Sequence, residues 1–86
     1  MRASHILVST KEQADAILAE ANALNFGSLA QQHSSCPSKA RGGDLGDFGP
    51  GQMVKPFEDA TAATPIGEIS QPVQTQFGYH LIHRTG

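Results

Sequence analysis

The chain contains a single cysteine, Cys36, so no disulfide can form within it. No apolar run approaches the roughly 20 residues needed to cross a bilayer. Its opening residues, Met1-Arg2-Ala3-Ser4-His5, enter a short apolar segment at once and show no cleavable signal. Positive charge is sparse and scattered, with six Lys and Arg against eight Asp and Glu and a net charge of −2. Nucleic-acid binding draws most of its affinity from a clustered basic face, and this sequence has none. Closely spaced metal ligands are also missing. The one near pair, His80 and His83, sits in an expected strand, where a spacing of three turns the rings to opposite faces. Repeats and low-complexity tracts are absent. The expectation is a cytoplasmic protein with no nucleic-acid, membrane, metal or cofactor partner, although an excised domain of a secreted protein would have the same composition.

What is present suits one small folded unit. Eighty-six residues are too few for two cores, so residues 1–86 are read as a single domain and, from size and an evenly polar surface, as a monomer. Hydrophobic residues at 38% and charged residues at 16% exclude a disordered chain.

Along the chain, His5-Ile6-Leu7-Val8 reads as a strand, being short, apolar and partly β-branched. Thr10 with Gln13 three residues later has capping-box spacing and opens a helix. Ala14, Ile17, Leu18, Ala21 and Leu24 continue it as one apolar stripe, with Asn25 and Gly27 marking its end. Phe26, Leu29, Ala30 and His33 suggest a second helix that stops before Ser34-Ser35. Between Cys36 and Gly51 lie five glycines and two prolines, which predict loops and tight turns around a brief strand at Asp44–Phe48. Pro56 at a first helical position, backed by Phe57, Ala60 and Ala63, marks a third helix that Pro65 and Gly67 close. Ile69–Thr75 and Tyr79–His83 read as two strands joined by a turn at Gly78. The order β-α-α-β-α-β-β is an α+β pattern, with helices packed on a small antiparallel sheet.

Four sets of residues are able to carry chemistry: His5, His80, Cys36, and the apolar group Leu45, Met53, Phe57 and Phe77. An imidazole can generate a thiolate, so Cys36 with a histidine invites a nucleophilic reading. A small, half-buried side chain explains Cys36 as well, and no oxyanion hole or orienting Asn or Asp is recognisable. His5 and His80 lie in apolar strands, where a buried histidine satisfied by one hydrogen bond is the ordinary case. If the two rings meet, one donates to the other, and like-charge repulsion keeps them from being protonated together. Met53 and Phe57, four residues apart, serve equally as core or as a pocket wall beside the Gly-Pro-Gly turn.

These segments together resemble the parvulins, a family of peptidyl-prolyl cis/trans isomerases. Ala3-Ser4-His5-Ile6-Leu7-Val8 resembles their first strand, and Cys36-Pro37-Ser38 with Gly42-Gly43-Asp44-Leu45-Gly46 and Phe48 their central loop and second strand. Gly51-Gln52-Met53-Val54-Lys55-Pro56-Phe57-Glu58 is similar to the start of their active-site helix. Gly67-Glu68-Ile69-Ser70 and Thr75-Gln76-Phe77-Gly78-Tyr79-His80-Leu81-Ile82 are similar to their closing hairpin. The match runs in order through essentially the whole chain.

The resemblance implies a four-stranded antiparallel sheet of order 2-1-4-3 with His5 and His80 on its two central strands. It implies that Leu45, Met53 and Phe57 line a pocket for the substrate proline ring, with Phe77 at the edge and Gln52 against substrate backbone. Cys36 would lie close to the twisting peptide bond, and Thr75 would support the histidine network. The expected partners are proline-containing peptides and unfolded protein clients, acted on without a covalent intermediate. Family members that require a phosphorylated residue before proline carry an arginine-rich insertion after the first strand. Here only Ser9 and Thr10 fill that link, so no phosphate requirement is expected. Two other readings are a peptide-binding, chaperone-like module without catalysis and a cysteine-dependent hydrolase.

Overall fold

The computed structural model describes all 86 residues. Strand β1 (Arg2–Val8) is followed by helices α1 (Lys11–Glu20) and α2 (Phe26–His33) and a 3-10 helix at Pro37–Arg41. Strand β2 (Asp44–Asp47), helix α3 (Lys55–Ala63) and strands β3 (Val73–Thr75) and β4 (Gly78–Arg84) complete the chain. The strands form one antiparallel sheet of order β2-β1-β4-β3, the α+β architecture read from the sequence.

Strand alternation divides the molecule into two layers. In the β1–β4 ladder Ile6 faces Leu81 and Val8 faces Tyr79, and these side chains pack with Ala14, Ile17, Phe26 and Leu29 of α1 and α2. The intervening residues point the other way. Ala3 and Ile82 join Phe48 and Phe57 in a second, smaller core beneath α3. His5 pairs with Ile82 and His80 with Leu7, so both histidines also emerge on the α3 side. His83, three residues past His80, lies on the other side with its ring 5.4 Å from that of Phe26.

Three segments differ from the sequence expectation. Helix α1 stops at Glu20 and does not run to Leu24, which is 97% exposed. Two asparagines divert the chain: Asn22 Oδ1 accepts from the Leu24 and Asn25 amides, and Asn25 Nδ2 donates to the Glu20 carbonyl. These side chains compete with the next helical turn for backbone partners. The expected strand over Ile69–Thr75 shrinks to Val73–Thr75, with one isolated bridge from Ile69 to His83. Pro72 has no amide proton to give a ladder at that point. The loop after Cys36 contains a 3-10 helix that the glycine count concealed, with Pro37 in its first turn. The Thr10–Gln13 capping box forms as the spacing predicts, with both reciprocal bonds present.

One glycine is decisive for the site. Gly43 holds φ +83°, and its carbonyl accepts the His5 amide at 2.9 Å. A Cβ at that position would lie 2.3 Å from the His5 carbonyl oxygen, so only glycine lets the loop press against β1 beside the histidine.

Candidate active site

Two central strands and two loops converge on one hollow. His5 and His80 meet across the sheet with Nδ1 to Nδ1 at 3.0 Å, their planes only 18° apart. His5 Nε2 lies 3.2 Å from Ser38 Oγ, and His80 Nε2 lies 2.8 Å from Thr75 Oγ1. All four residues are buried. Thr75 Oγ1 is itself held by the Phe77 amide, which donates to it at 3.2 Å. No buried side-chain nitrogen or oxygen lacks a partner.

The protonation of this row follows from its geometry. Burial lowers both imidazoles to about 4, and for His5 the neighbouring His80 adds a repulsive contribution. At neutral pH each ring is therefore uncharged and carries one N–H. The Nδ1 to Nδ1 contact needs one donor and one acceptor, and that choice sets every other bond. If His5 Nδ1 donates, His80 keeps its proton on Nε2 and donates to Thr75, while His5 Nε2 accepts from the Ser38 hydroxyl. The opposite arrangement reverses all three bonds. Both arrangements satisfy every group, so Ser38-His5-His80-Thr75 is a neutral, self-consistent floor.

Above this floor is a cavity of about 370 Å³, within the range of roughly 300–1,000 Å³ usual for small-ligand sites. Leu45, Met53, Val54 and Phe57 supply its apolar wall, and Leu7, Cys36, Pro37 and Phe77 its rim. Phe57 is 3% exposed and stands edge-on to both imidazoles, with centroids 5.6 Å from His5 and 5.1 Å from His80. Its position comes from the start of α3, where Pro56 fits the first turn. Phe77 is 60% exposed at the β3–β4 turn. Cys36 is half-buried, and the segment before it is tied to β1: the Ser35 amide donates to the Leu7 carbonyl at 2.8 Å and the Leu7 amide to Ser34 Oγ at 3.1 Å.

The geometry thus brings together His5, His80, Thr75, Cys36, Leu45, Met53, Phe57 and Phe77. Gln52 is the exception: it is exposed and lies outside the cavity lining, and its Oε1 accepts the Gly49 amide at 2.9 Å. The expected contact of Gln52 with substrate backbone therefore finds no support in its placement. Ser38, which residue-type reasoning passed over, ends the histidine row. The only signal for it was its place behind Cys36-Pro37, where a proline starts a short helix and the next hydroxyl turns inward. No group of His, Cys, Asp or Glu side chains is arranged to hold a metal ion.

A paired-histidine floor on the two middle strands of a 2-1-4-3 sheet, below an apolar hollow walled by α3, defines a parvulin-type domain. The chain belongs to the PPIC-type peptidyl-prolyl isomerase, or rotamase, family, whose model matches residues 5–86. The foldase protein PrsA of Geobacillus sp. (strain WCH70) is 48% identical over 87 residues, covering 99% of this chain and 32% of that protein. The peptidyl-prolyl cis-trans isomerase Pin1 of Digitalis lanata is 60% identical over 62 residues, or 72% of this chain and 52% of that protein. Among solved structures, PrsA from Bacillus anthracis superposes with a TM-score of 0.91 at 44% identity, over 100% of this chain and 41% of the other. NmPin, the parvuline of Nitrosopumilus maritimus, gives 0.85 at 44% identity, over 100% of this chain and 95% of the other. The chain thus spans about a third of the PrsA relative and about half of the Pin1 relative.

Proposed function

We propose that this domain accelerates cis/trans rotation about X-Pro bonds in flexible or unfolded protein segments, without covalent chemistry and without a phosphate requirement. The observation that carries the reading is the apolar hollow of Leu45, Met53 and Phe57 set directly against the buried histidine pair, which burial keeps uncharged at neutral pH. Amide rotation has a barrier of roughly 18–20 kcal/mol because resonance gives the C–N bond partial double-bond character. The X-Pro isomers differ by only about 0.5–1 kcal/mol, so rate and not equilibrium is the difficulty. Nothing needs to be broken except that resonance. The twisted transition state is less charge-separated than the planar amide, so an apolar enclosure favours it, and each tenfold of rate corresponds to about 1.4 kcal/mol of preference. Met53 and Phe57 would clamp the proline ring while the preceding carbonyl swings past Cys36 and the histidines.

The test is exchange spectroscopy on a short Leu-Pro peptide, with and without the protein. Faster exchange of the cis and trans signals is expected, and exchange unchanged at saturating protein would leave only a peptide-binding module. The same spectrum recorded with Cys36→Asp checks the non-covalent mechanism. Substantial activity is expected to survive, whereas complete loss together with a covalent substrate adduct trapped on Cys36 of the wild type would favour a nucleophilic cysteine.

No cavity-lining residue carries a positive charge. Arg2, Lys11 and Lys55 are paired with Asp44, Asp15 and Asp59, and Arg84 donates to carbonyls at the end of α3. Lys39 and Arg41, on the 3-10 helix behind Cys36, enter no ion pair, but neither lines the cavity, so they offer an acidic peptide at most a solvated attraction. A phosphoserine-proline peptide is therefore expected to isomerise within about tenfold of its unphosphorylated counterpart. A hundredfold advantage, worth about 2.7 kcal/mol, would refute this. The reading takes the domain as a monomer, since the exposed large apolar side chains Leu24, Ile66 and Phe77 sit singly on three separate loops and form no run along the chain. A cytoplasmic placement belongs to the same reading.

A further inference from the structure

The apolar wall of the cavity depends on Met53, yet Met53 belongs to neither a helix nor a strand. It sits in the loop between Phe48 and α3, a segment rich in glycine that would otherwise move freely. Two side chains close this loop on itself. Gln52 Oε1 accepts the Gly49 amide at 2.9 Å, while the Gln52 amide returns to the Gly49 carbonyl at 3.3 Å. Glu58, in the first turn of α3, reaches back seven residues and accepts the Gly51 amide at 2.7 Å. Its own amide donates to the Val54 carbonyl at 3.0 Å. Met53 and Val54, both lining the cavity, are thus held from the two ends by one residue.

Other details assign Glu58 to this task. It takes part in no ion pair, although Lys55 and Asp59 on the same helix pair with each other. The residue capping α3, Val54, has no side-chain cap to offer, so the helix start is free to favour a carboxylate. Gly51 itself holds φ +83°, which aims its amide at the helix and which residues with a Cβ adopt reluctantly. A charged acceptor at 2.7 Å is the strong form of such a bond.

We propose that Glu58 is a positioning residue: by clasping the Gly51 amide it fixes Met53 as the wall against which the proline ring is held. The inference rests on the isomerase reading and deepens it. Glu58 lies outside the cavity lining, so it acts only through the loop. Gln52 belongs to the same clasp, which accounts for its place beside the site without contact to the cavity.

The test compares wild type, Glu58→Ala and Glu58→Gln by three measurements: kcat and KM on a Leu-Pro peptide, amide exchange at Gly51, and thermal melting. Glu58→Ala is expected to lower kcat/KM about fivefold to tenfold, mostly through KM, and to speed Gly51 exchange about tenfold, with little change in melting. Glu58→Gln keeps an acceptor oxygen in place but gives up the charge, and is expected to fall between wild type and Glu58→Ala on each measure, within about threefold of wild type. Unchanged Gly51 exchange in Glu58→Ala would overturn the clasp. So would kcat/KM within twofold of wild type, or Glu58→Gln as impaired as Glu58→Ala. If the wild type shows no acceleration, it is the isomerase reading that fails. Peptide affinity then takes the place of kcat/KM: weaker binding by Glu58→Ala supports the clasp, and equal binding overturns it.

Discussion

Phe57→Leu is expected to fold and to lose at least about tenfold in kcat/KM, while Phe57→Ala loses most activity and about 3–5 kcal/mol of stability. The two effects have separate origins in one ring. On its core side Phe57 packs with Phe48, centroids 6.1 Å apart, and with Ile82 and Ala3. Truncation to alanine opens a hole there, and in an 86-residue chain the loss is comparable to the whole stability margin. On its site side the same ring stands edge-on to His5 and His80, at 84° and 78°, and forms the back of the cavity. Leucine restores most of the buried volume but offers no flat aromatic face to a pyrrolidine ring and no edge to the imidazoles. Exchange spectroscopy with urea titration separates the two contributions. If Phe57→Leu kept kcat/KM within threefold of wild type, the hollow would not be where proline binds.

Some of this arrangement was legible in the sequence because its cause is local. The alternation in β1 and β4 states which side chains share a face, and that places His5 and His80 together once the strands pair in antiparallel register. The capping box of Thr10 and Gln13 and the proline start of α3 are equally local. What escaped reading depended on competition or on distance. The stripe from Ala14 to Leu24 kept helical spacing, yet Asn22 and Asn25 offered the backbone better partners, and Leu24 was left in solvent. Gln52 looked available to a substrate, but the Gly49 amide lies within its reach. Ser38 resembled any loop serine until the chain folded it 33 positions back onto His5. A hydroxyl becomes a site residue through the partner it meets, and sequence spacing does not report a partner that far away.

Lowering the pH from 7 to 4.5 is expected to destabilise the fold steeply, through the same two histidines. Unfolded, each imidazole titrates at its ordinary 6.5; folded, both are lowered to about 4. Above pH 6.5 neither state binds these protons, so stability is flat in this respect. Between 6.5 and 4 the unfolded chain takes up protons that the folded site refuses, and stability falls as pH drops. Below 4 the folded rings protonate too, and this loss ends. The limiting slope is about 1.4 kcal/mol per pH unit for each ring. Water reaching the cavity side of each ring softens this, leaving on the order of 1–2 kcal/mol per ring by pH 4.5. Asp44, held low by its bond to Arg2, titrates below this window and does not mask the effect. Urea unfolding at pH 7, 5.5 and 4.5 measures the slope, and His5→Gln should reduce it to that of one ring. Protonation also breaks the row itself, because two cationic rings would set N–H against N–H across 3.0 Å. Activity is therefore expected to fall with stability and not before it. A slope that His5→Gln leaves unchanged would mean that the folded ring takes up its proton as readily as the unfolded one, and burial would not then be what holds the floor neutral.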